Sequence, residues 1–215
     1  TIYTDYVKVE VKLQVDSDWE SEAPAIDSNF SEGEWTSPQL LIEDPIHTYV
    51  YFTNDNEYLY VCVDAANELL GDYSEDDDDY CDLFFDTGHD EAWTLGHEDW
   101  FCILGNGPKE HLVALETLGE WGYCCDFSAH PGLEGAAGFG TSPNAPADDH
   151  RIYEFKIPLG LLGASPGDTI GFASPLGSDS LPHDAHTGRH NVWPAGAEAD
   201  DLTTWGDLVL ASPPP

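Results

Sequence analysis

The chain has 215 residues, of which 42 are acidic and 6 are basic, and its formal net charge at pH 7 is −36. This imbalance argues against nucleic acid as a partner, because binding phosphates needs a basic surface. No run of about 18 apolar residues is present, so the sequence predicts no direct insertion into a membrane. The hydrophobic share of 41% is typical of a folded domain with a sizeable core.

The first predicted strand, residues 6–15, has an apolar side chain at every second position. Its apolar face carries Val7, Val9, Val11, Leu13 and Val15. The first 15 residues have no net charge, because two lysines balance Asp5 and Glu10, and an acidic link over residues 16–24 follows. Such a strand can complete the sheet of a neighbouring subunit or fold back as the first strand of its own sandwich.

Strand signals dominate the rest of the chain. The segments concerned are short, rich in aromatic and β-branched residues, and separated by turn-forming Gly, Pro, Asn and Asp. The predicted strands cover residues 47–53, 58–64, 80–86, 100–105, 111–117, 152–158 and 169–174. Short strands at this spacing predict an all-β fold, a jelly-roll β-sandwich of antiparallel strands.

Four motifs, in a fixed order, resemble a known family. They are Ala25 to Phe30 with Gly33-Glu34-Trp35, the segment Tyr49 to Asp64, the segment Asp82 to Asp86, and Trp193 to Ala197 with Trp205 to Leu210. Together they resemble family 9 carbohydrate-binding-module-like domains over about residues 24–211. Position 28 departs from the family pattern, because Ser stands where the family has Gly, and the first 15 residues lie outside it.

The resemblance implies an extracellular, secreted or cell-surface domain, often with bound calcium and commonly attached to surface proteins or glycan-active enzymes. The domain organisation that follows has three parts. Residues 1–23 are an amino-terminal strand arm with its acidic link, residues 24–211 are the β-sandwich, and residues 212–215 are a proline-rich tail.

The densest acidic segment, residues 71–93, predicts a calcium site. Calcium takes roughly six to eight oxygen ligands from closely spaced carboxylates and carbonyls. The expected ligands are Asp82, Asp86, Asp90, Glu91 and Asp99, and a second candidate is Asp76 to Asp79. The alternative is a solvated acidic loop, and adaptation to salt or acid would explain the overall charge equally well.

The five cysteines show no C-x-x-C pair, so the sequence does not predict structural zinc. In an extracellular protein we expect one or two disulfides, drawn from Cys62, Cys81 and Cys102 on predicted strands. Three histidines in one loop offer a further candidate site for nickel, copper or zinc, although polar loops often contain histidines without a metal. They are His183, His186 and His190.

Tryptophans suggest glycan binding, because sugar rings stack on aromatic faces. The candidates in or near predicted loops are Trp93, Trp100, Trp121 and Trp193. Trp35 and Trp205 match the framework of the family and are predicted to lie in the core. Neither G-x-S-x-G nor H-E-x-x-H is present, and the sequence predicts no catalysis.

Two functions fit these patterns. The main hypothesis is a non-catalytic extracellular subunit that assembles with copies of itself into a surface fibre, tube or layer. Residues 6–15 would be donated to a neighbour and calcium would bridge the contacts, a plan that resembles strand-exchanging archaeal extracellular fibres and tubes. The alternative is a calcium-containing carbohydrate-binding module of a larger surface protein, with glycans as partners. The neutral strand and the extreme charge favour the first, and the family resemblance favours the second.

Overall fold

The computed structural model describes residues 13–31, 33–43, 47–69, 80–95, 98–104, 109–115, 120–177, 191–198 and 200–215. Within these ranges the chain forms 14 strands and two short 3-10 helices, Phe127–Ala129 and Leu202–Thr204. The strands are β1 (Gln14–Asp16), β2 (Asp18–Trp19), β3 (Leu40–Ile42), β4 (Thr48–Asn54), β5 (Tyr58–Leu69), β6 (Tyr80–Asp86), β7 (Glu98–Leu104), β8 (Lys109–Ala114), β9 (Trp121–Asp126), β10 (Glu134–Gly140), β11 (His150–Pro158), β12 (Thr169–Gly177), β13 (Asn191–Trp193) and β14 (Gly206–Val209). No helix in the described ranges has the length and apolar character that a membrane crossing needs.

The strands form two sheets. The larger sheet has eight strands in the order β1-β14-β12-β6-β7-β8-β9, with β13 paired to β12, and the smaller sheet has six in the order β10-β11-β5-β4-β2, with β3 paired to β4. Neighbours are antiparallel except for two parallel pairs, β1 with β14 and β2 with β4. The prediction of an all-β antiparallel jelly-roll sandwich is confirmed.

The main core lies between the two sheets, because alternate residues of the central strands point inward. In β6, Leu83 and Phe85 are fully buried in this core, whereas Phe84 belongs to a separate cluster on the outer face. Phe52 of the smaller sheet meets Phe172 of the larger sheet edge-on, with ring centroids 5.2 Å apart. Burying one such side chain stabilises the fold by about 1.5–3 kcal/mol, so these contacts hold the two layers together.

The described end of the predicted donor strand pairs within its own chain. Val15 is directly opposite Leu208 and is 5% exposed, in the main core. The carbonyl oxygen of Leu13 accepts a 2.8 Å hydrogen bond from the amide of Asp207, while its side chain is exposed. The edge of β14 is thus occupied by Leu13 and Val15 of the same chain, and donation of this strand to a neighbour stays a prediction. The other predicted donor positions lie outside the described residues; they are Val7, Val9 and Val11.

The motif around position 28 is attached to the outer face of the smaller sheet. The Glu154 carboxylate on β11 accepts hydrogen bonds from the amides of Asp27 (2.8 Å) and Ser28 (2.6 Å) and from the Trp35 indole (3.2 Å). Ser28 has a φ of 61°, in the left-handed region that favours glycine. Ser28 therefore adopts, at a cost, a backbone conformation that glycine would adopt freely.

The expected disulfides among three strand cysteines do not form, and all five cysteines lie in described segments as free thiols. Cys62 belongs to a cluster on the outer face of the smaller sheet, whereas Cys81 lies in the core between the sheets. Cys102 is directly opposite Asp82, on the outer face of the larger sheet. The prediction was wrong because the three thiols occupy three different layers.

Candidate functional site

An aromatic cluster covers part of the outer face of the larger sheet. Phe84 is 1% exposed at its centre, and its ring centroid lies 5.1 Å from Trp100, 5.4 Å from Trp121 and 5.8 Å from Trp205. Trp93 meets Trp121 edge-on at 5.0 Å. The outer face of an antiparallel sheet is normally polar, whereas here buried and partly buried aromatic rings form a separate hydrophobic cluster on it.

Strand register brings these rings together. Phe84 of β6 and Trp100 of β7 are directly opposite each other in the ladder, and Trp121 begins β9 at the edge of the same sheet. Trp93 follows β6 in a turn, where its indole N–H donates a 2.8 Å hydrogen bond to the carbonyl oxygen of Leu115. The orientation of the Trp93 ring is therefore set by one hydrogen bond and one aromatic contact.

An open cleft of about 370 Å³ lies beside Trp93, between the turn after β6 and the loop before β14. Its lining is Glu91, Trp93, Glu198, Asp200, Asp201 and Leu202. One aromatic side chain thus shares the cleft with several carboxylates. Aromatic and polar groups in this combination suit a polyhydroxylated ligand, whose C–H face contacts the indole while its hydroxyls donate to carboxylate oxygens.

The turn that carries Trp93 is held by Asp86. One carboxylate oxygen of Asp86 accepts a 2.8 Å hydrogen bond from the amide of His89, and the other accepts a 3.0 Å bond from the amide of Glu91. His89 and Glu91 both have positive φ angles, 48° and 56°. Because non-glycine residues adopt this region at a cost, the two hydrogen bonds compensate for the strained turn.

The predicted calcium ligands do not converge on one point. Asp99 is directly opposite Phe85, whose side chain is in the main core, so Asp99 points inward, and its carboxylate lies 2.6 Å from His111 Nε2. Asp82 and Asp86 alternate with core residues and point outward. Asp90 and Glu91 are exposed in the turn. Asp76 to Asp79 and the three histidines 183, 186 and 190 lie outside the described residues.

Glu98 is a functional candidate that the sequence did not single out. It is fully buried, directly opposite Asp86, and both its carboxylate oxygens lie 3.1 Å from the amide nitrogen of Thr94. Burial, together with the charges of Asp86 and Asp90, raises the pKa of Glu98 to about 7, although the hydrogen bond from the Thr94 amide opposes the shift. One feature of the sequence points to Glu98, since it alternates with Trp100 on the same face of the strand. The sequence alone does not show that this face is buried.

Three of the four predicted glycan-binding tryptophans lie in the aromatic cluster, namely Trp93, Trp100 and Trp121, each partly buried. The fourth, Trp193, is 9% exposed and packs on Phe172 in the main core, with ring centroids 5.8 Å apart. Trp193 therefore cannot stack on a ligand. Trp35 and Trp205 are buried, as predicted, at 5% and 2% exposed, and they lie in the smaller hydrophobic clusters on the outer faces of the two sheets.

Comparisons with known proteins support the fold. No family model matches the chain, and no curated protein is similar enough to match. Two solved structures of a family 9 carbohydrate-binding module from Caldicellulosiruptor kristjanssonii, in complex with glucose and with cellotriose, each superpose with a TM-score of 0.57 at 15% identity. They cover 94% of this chain and 97% or 95% of the module's own chain. The chain has the fold of these carbohydrate-binding modules.

A third structure is similar over the same range. It is a candidate carbohydrate-binding protein from Bacteroides uniformis ATCC 8492, with a TM-score of 0.51, 12% identity, and coverage of 93% of this chain and 99% of its own. At these identities the similarity shows only that the β-sandwich fold is shared. What this chain binds has to be argued from its own residues.

Proposed function

We propose that the protein is a non-catalytic glycan-binding module that binds its ligand in the cleft beside Trp93. The observation that carries the proposal is the combination of an oriented tryptophan and several carboxylates on the outer face of the larger sheet. Ligand-binding clefts typically combine an apolar or aromatic surface with a few fixed polar groups. The cleft beside Trp93 has both components.

Trp93 is held before any ligand arrives. Its N–H is bonded to the carbonyl of Leu115, and its ring abuts Trp121. A fixed ring loses little conformational freedom on binding, which favours affinity. Across the cleft, Asp201 accepts two hydrogen bonds from Thr203 with one oxygen, and its carboxylate has further acceptor capacity for a sugar hydroxyl.

The structural neighbours suggest which ligands to test first. The Caldicellulosiruptor kristjanssonii module was solved with glucose and with cellotriose. We therefore propose glucose-containing oligosaccharides as the first ligand class for this chain. We further propose that the module acts outside the cell or at its surface, where polysaccharides of this kind occur.

We retain calcium as a proposed cofactor of the turn after β6. The support is electrostatic, because Asp86 and Asp90 raise the pKa of buried Glu98. A divalent cation beside Asp86 and Asp90 would offset this repulsion. Calorimetric titration with calcium tests the proposal, and an absence of binding to the metal-free protein would contradict it.

The experiment that tests the proposed function is a glycan array probed with the wild-type protein and two tryptophan variants. Trp93→Ala removes the proposed stacking surface. Trp19→Ala is the matched control, since Trp19 is also partly buried but lies on β2 of the smaller sheet. We expect the wild type and Trp19→Ala to bind the same glycans and Trp93→Ala to lose them. Equal binding by all three proteins would place the site elsewhere.

The hypothesis of a fibre-forming subunit gains no support from the residues that the structure describes, because the described end of the proposed donor strand pairs with β14 of its own chain. It remains a prediction. Electron microscopy of the protein with calcium and with a chelator tests it, and monomers under both conditions would contradict it.

A further inference from the structure

A second cluster of reactive side chains lies at the edge of the larger sheet, away from the tryptophan cleft. Cys124 Sγ and Cys125 Sγ are 3.1 Å apart, and Cys125 Sγ is 3.0 Å from His130 Nε2. His111 Nδ1 is also 3.0 Å from His130 Nε2. Each of the four residues offers one ligand atom, and no two of these atoms are more than 4.8 Å apart. Among the described residues, no other group of at least three His, Cys, Asp or Glu side chains meets so closely.

An irregularity in the β8–β9 ladder explains how two consecutive cysteines reach the same point. In a regular strand their side chains would lie on opposite faces. Here His111 is opposite Cys125, whereas Leu112 is opposite Tyr123, so Cys124 is an extra residue without a partner. Such a bulge changes the direction of the side chains around it. Both sulfur atoms can therefore face the same histidine.

The turn after β9 supplies the fourth ligand. The 3-10 helix Phe127–Ala129 reverses the chain, and the amide of His130 donates a 3.0 Å hydrogen bond to the carbonyl of Phe127. Phe127 is 4% exposed, and its ring lies 6.1 Å from Phe101 in the core. The position of His130 is thus fixed by a buried anchor three residues earlier.

His111 is oriented in the way that metal-bound histidines usually are. Its ring stacks on Phe101, with centroids 4.7 Å apart and planes at 4°. Its Nε2 lies 2.6 Å from the buried carboxylate of Asp99. Donation of the Nε2 proton to Asp99 leaves the Nδ1 lone pair directed at His130. A carboxylate that holds the far nitrogen of a histidine is the usual outer partner of a metal ligand.

Hydrogen bonds alone do not satisfy the nitrogen and sulfur atoms of this cluster well. His130 Nε2 has both His111 Nδ1 and Cys125 Sγ at 3.0 Å. One hydrogen atom on Nε2 can point directly at only one of these neighbours.

We propose that His111 Nδ1, Cys124 Sγ, Cys125 Sγ and His130 Nε2 form a binding site for one Zn²⁺ ion. Two thiolates and two imidazoles are a ligand set that zinc binds tetrahedrally. With zinc–sulfur bonds of about 2.3 Å and zinc–nitrogen bonds of about 2.0–2.1 Å, ligand atoms in a tetrahedron are roughly 3.3–3.8 Å apart. The observed separations lie on both sides of this range, so binding needs side-chain shifts of about 1 Å or less.

Zinc here would fasten the edge of the sandwich. β9 is the last strand of the larger sheet, and its residues are either exposed or only partly buried. The ion would tie β9 to β8 and to the turn that follows β9. Because the ligands and Asp99 are separate from the cleft, the inference does not depend on the proposed glycan function.

The spacing of the four ligands explains why the sequence did not predict zinc. Local zinc motifs place cysteines in C-x-x-C pairs. Here the four residues span positions 111 to 130, and hairpin pairing, a bulge and a turn bring them together. These features depend on register, which a spacing rule does not contain.

The test is a titration of the reduced, metal-free, full-length protein with Co²⁺ and then with Zn²⁺. Cobalt in a four-coordinate site with thiolates gives intense visible bands and a thiolate-to-cobalt charge-transfer band in the near ultraviolet. We expect both to saturate at one cobalt per chain and to vanish when zinc displaces the cobalt. Elemental analysis of the zinc-loaded protein should show one zinc per chain.

Variants locate the site. Cys125→Ser and His130→Gln should abolish the cobalt spectrum, whereas Cys102→Ser, at a thiol on the opposite face of the sheet, should retain it. Asp99→Asn keeps all four ligands and should weaken zinc binding about 10- to 100-fold, since it removes the outer partner of His111. Circular dichroism of each metal-free variant shows whether it has folded, so that loss of the spectrum can be assigned to the ligand.

Three results would overturn the proposal. The first is the absence of a thiolate-to-cobalt band in the folded, reduced wild type. The second is a spectrum that persists in Cys125→Ser. The third is a covalent Cys124–Cys125 disulfide, seen as a mass lower by two hydrogens, that survives the reducing conditions of the titration. Each is independent of whether the tryptophan cleft binds a glycan.

Discussion

The buried carboxyl of Glu98 should make the protein less stable as the pH rises. Its pKa is raised from an ordinary value of 4.5 to about 7 by burial and by Asp86 and Asp90. Below about pH 4.5 the carboxyl is protonated in both the folded and the unfolded state, and it costs nothing. Between about pH 4.5 and pH 7 the unfolded state loses this proton while the folded state keeps it, so the free energy of unfolding falls over this range and stays at its lower level above about pH 7.

The size of the effect follows from the shift. Each pKa unit corresponds to about 1.36 kcal/mol, so the penalty at pH 8 is at most about 3 kcal/mol. Glu98→Gln replaces the carboxyl by a neutral group of the same shape, whose oxygen can still accept from the Thr94 amide. We therefore expect the variant to match the wild type near pH 4.5 and to exceed it by up to about 3 kcal/mol at pH 8.

The assay is urea unfolding of both proteins at a series of pH values, with a chelator present throughout. Glu120→Gln is the control, because Glu120 is exposed and its neutralisation should not change the pH dependence of unfolding in this way. A difference between Glu98→Gln and wild type that is the same at pH 4.5 and pH 8 would refute the reasoning, since it would show that ionisation of Glu98 is not what costs stability.

Two further predictions concern the motif around position 28. Ser28→Gly should raise the free energy of unfolding by about 1 kcal/mol, because glycine adopts a φ of 61° without steric cost; thermal unfolding measures this, and a lower midpoint would contradict it. Glu154→Ala should lower the free energy of unfolding by at least about 2 kcal/mol, because it leaves the amides of Asp27 and Ser28 and the Trp35 indole without their acceptor. An unchanged denaturation midpoint for Glu154→Ala would show that these groups find other partners.

The aromatic and β-branched strands were predictable from the sequence. The prediction for β6 has the same limits as the strand itself, and those for β4, β5, β7 and β11 differ from the observed strands mainly at the ends. These segments have a strong intrinsic preference for a pleated, half-buried surface, which tertiary contacts reinforce.

Six strands were not predicted, namely β2, β3, β9, β10, β13 and β14, and for β9 and β10 there is a physical reason. β10 is glycine-rich, with Gly138 at a point where a Cβ atom would come within 2.4 Å of Ser28 Oγ. Its strand structure comes from pairing with β11 rather than from its own residues. β9 contains the bulge at Cys124, which disrupts the alternation that strand prediction depends on.

The candidate site was partly predictable. Tryptophans near loops were the right residue type, and three of the four meet on one sheet face. Trp193 does not, because the side of the sandwich it faces depends on the pairing of β13 with β12. The position of Asp99 likewise depends on register. β7 directs the Asp99 side chain toward the interior of the sandwich, beside His111, and directs its neighbour Glu98 toward the outer face of the larger sheet.

The measurement that tests the central claim most directly is a calorimetric titration of cellotriose into the wild type and into Trp93→Ala, with Trp19→Ala as control. We predict saturable binding by the wild type and the control. Trp93→Ala should lose at least about 2 kcal/mol of binding free energy, roughly 30-fold in affinity, while remaining folded. Binding by Trp93→Ala at the wild-type affinity would contradict the assignment of the cleft, and no binding of any glycan by the wild type would contradict the proposed function itself.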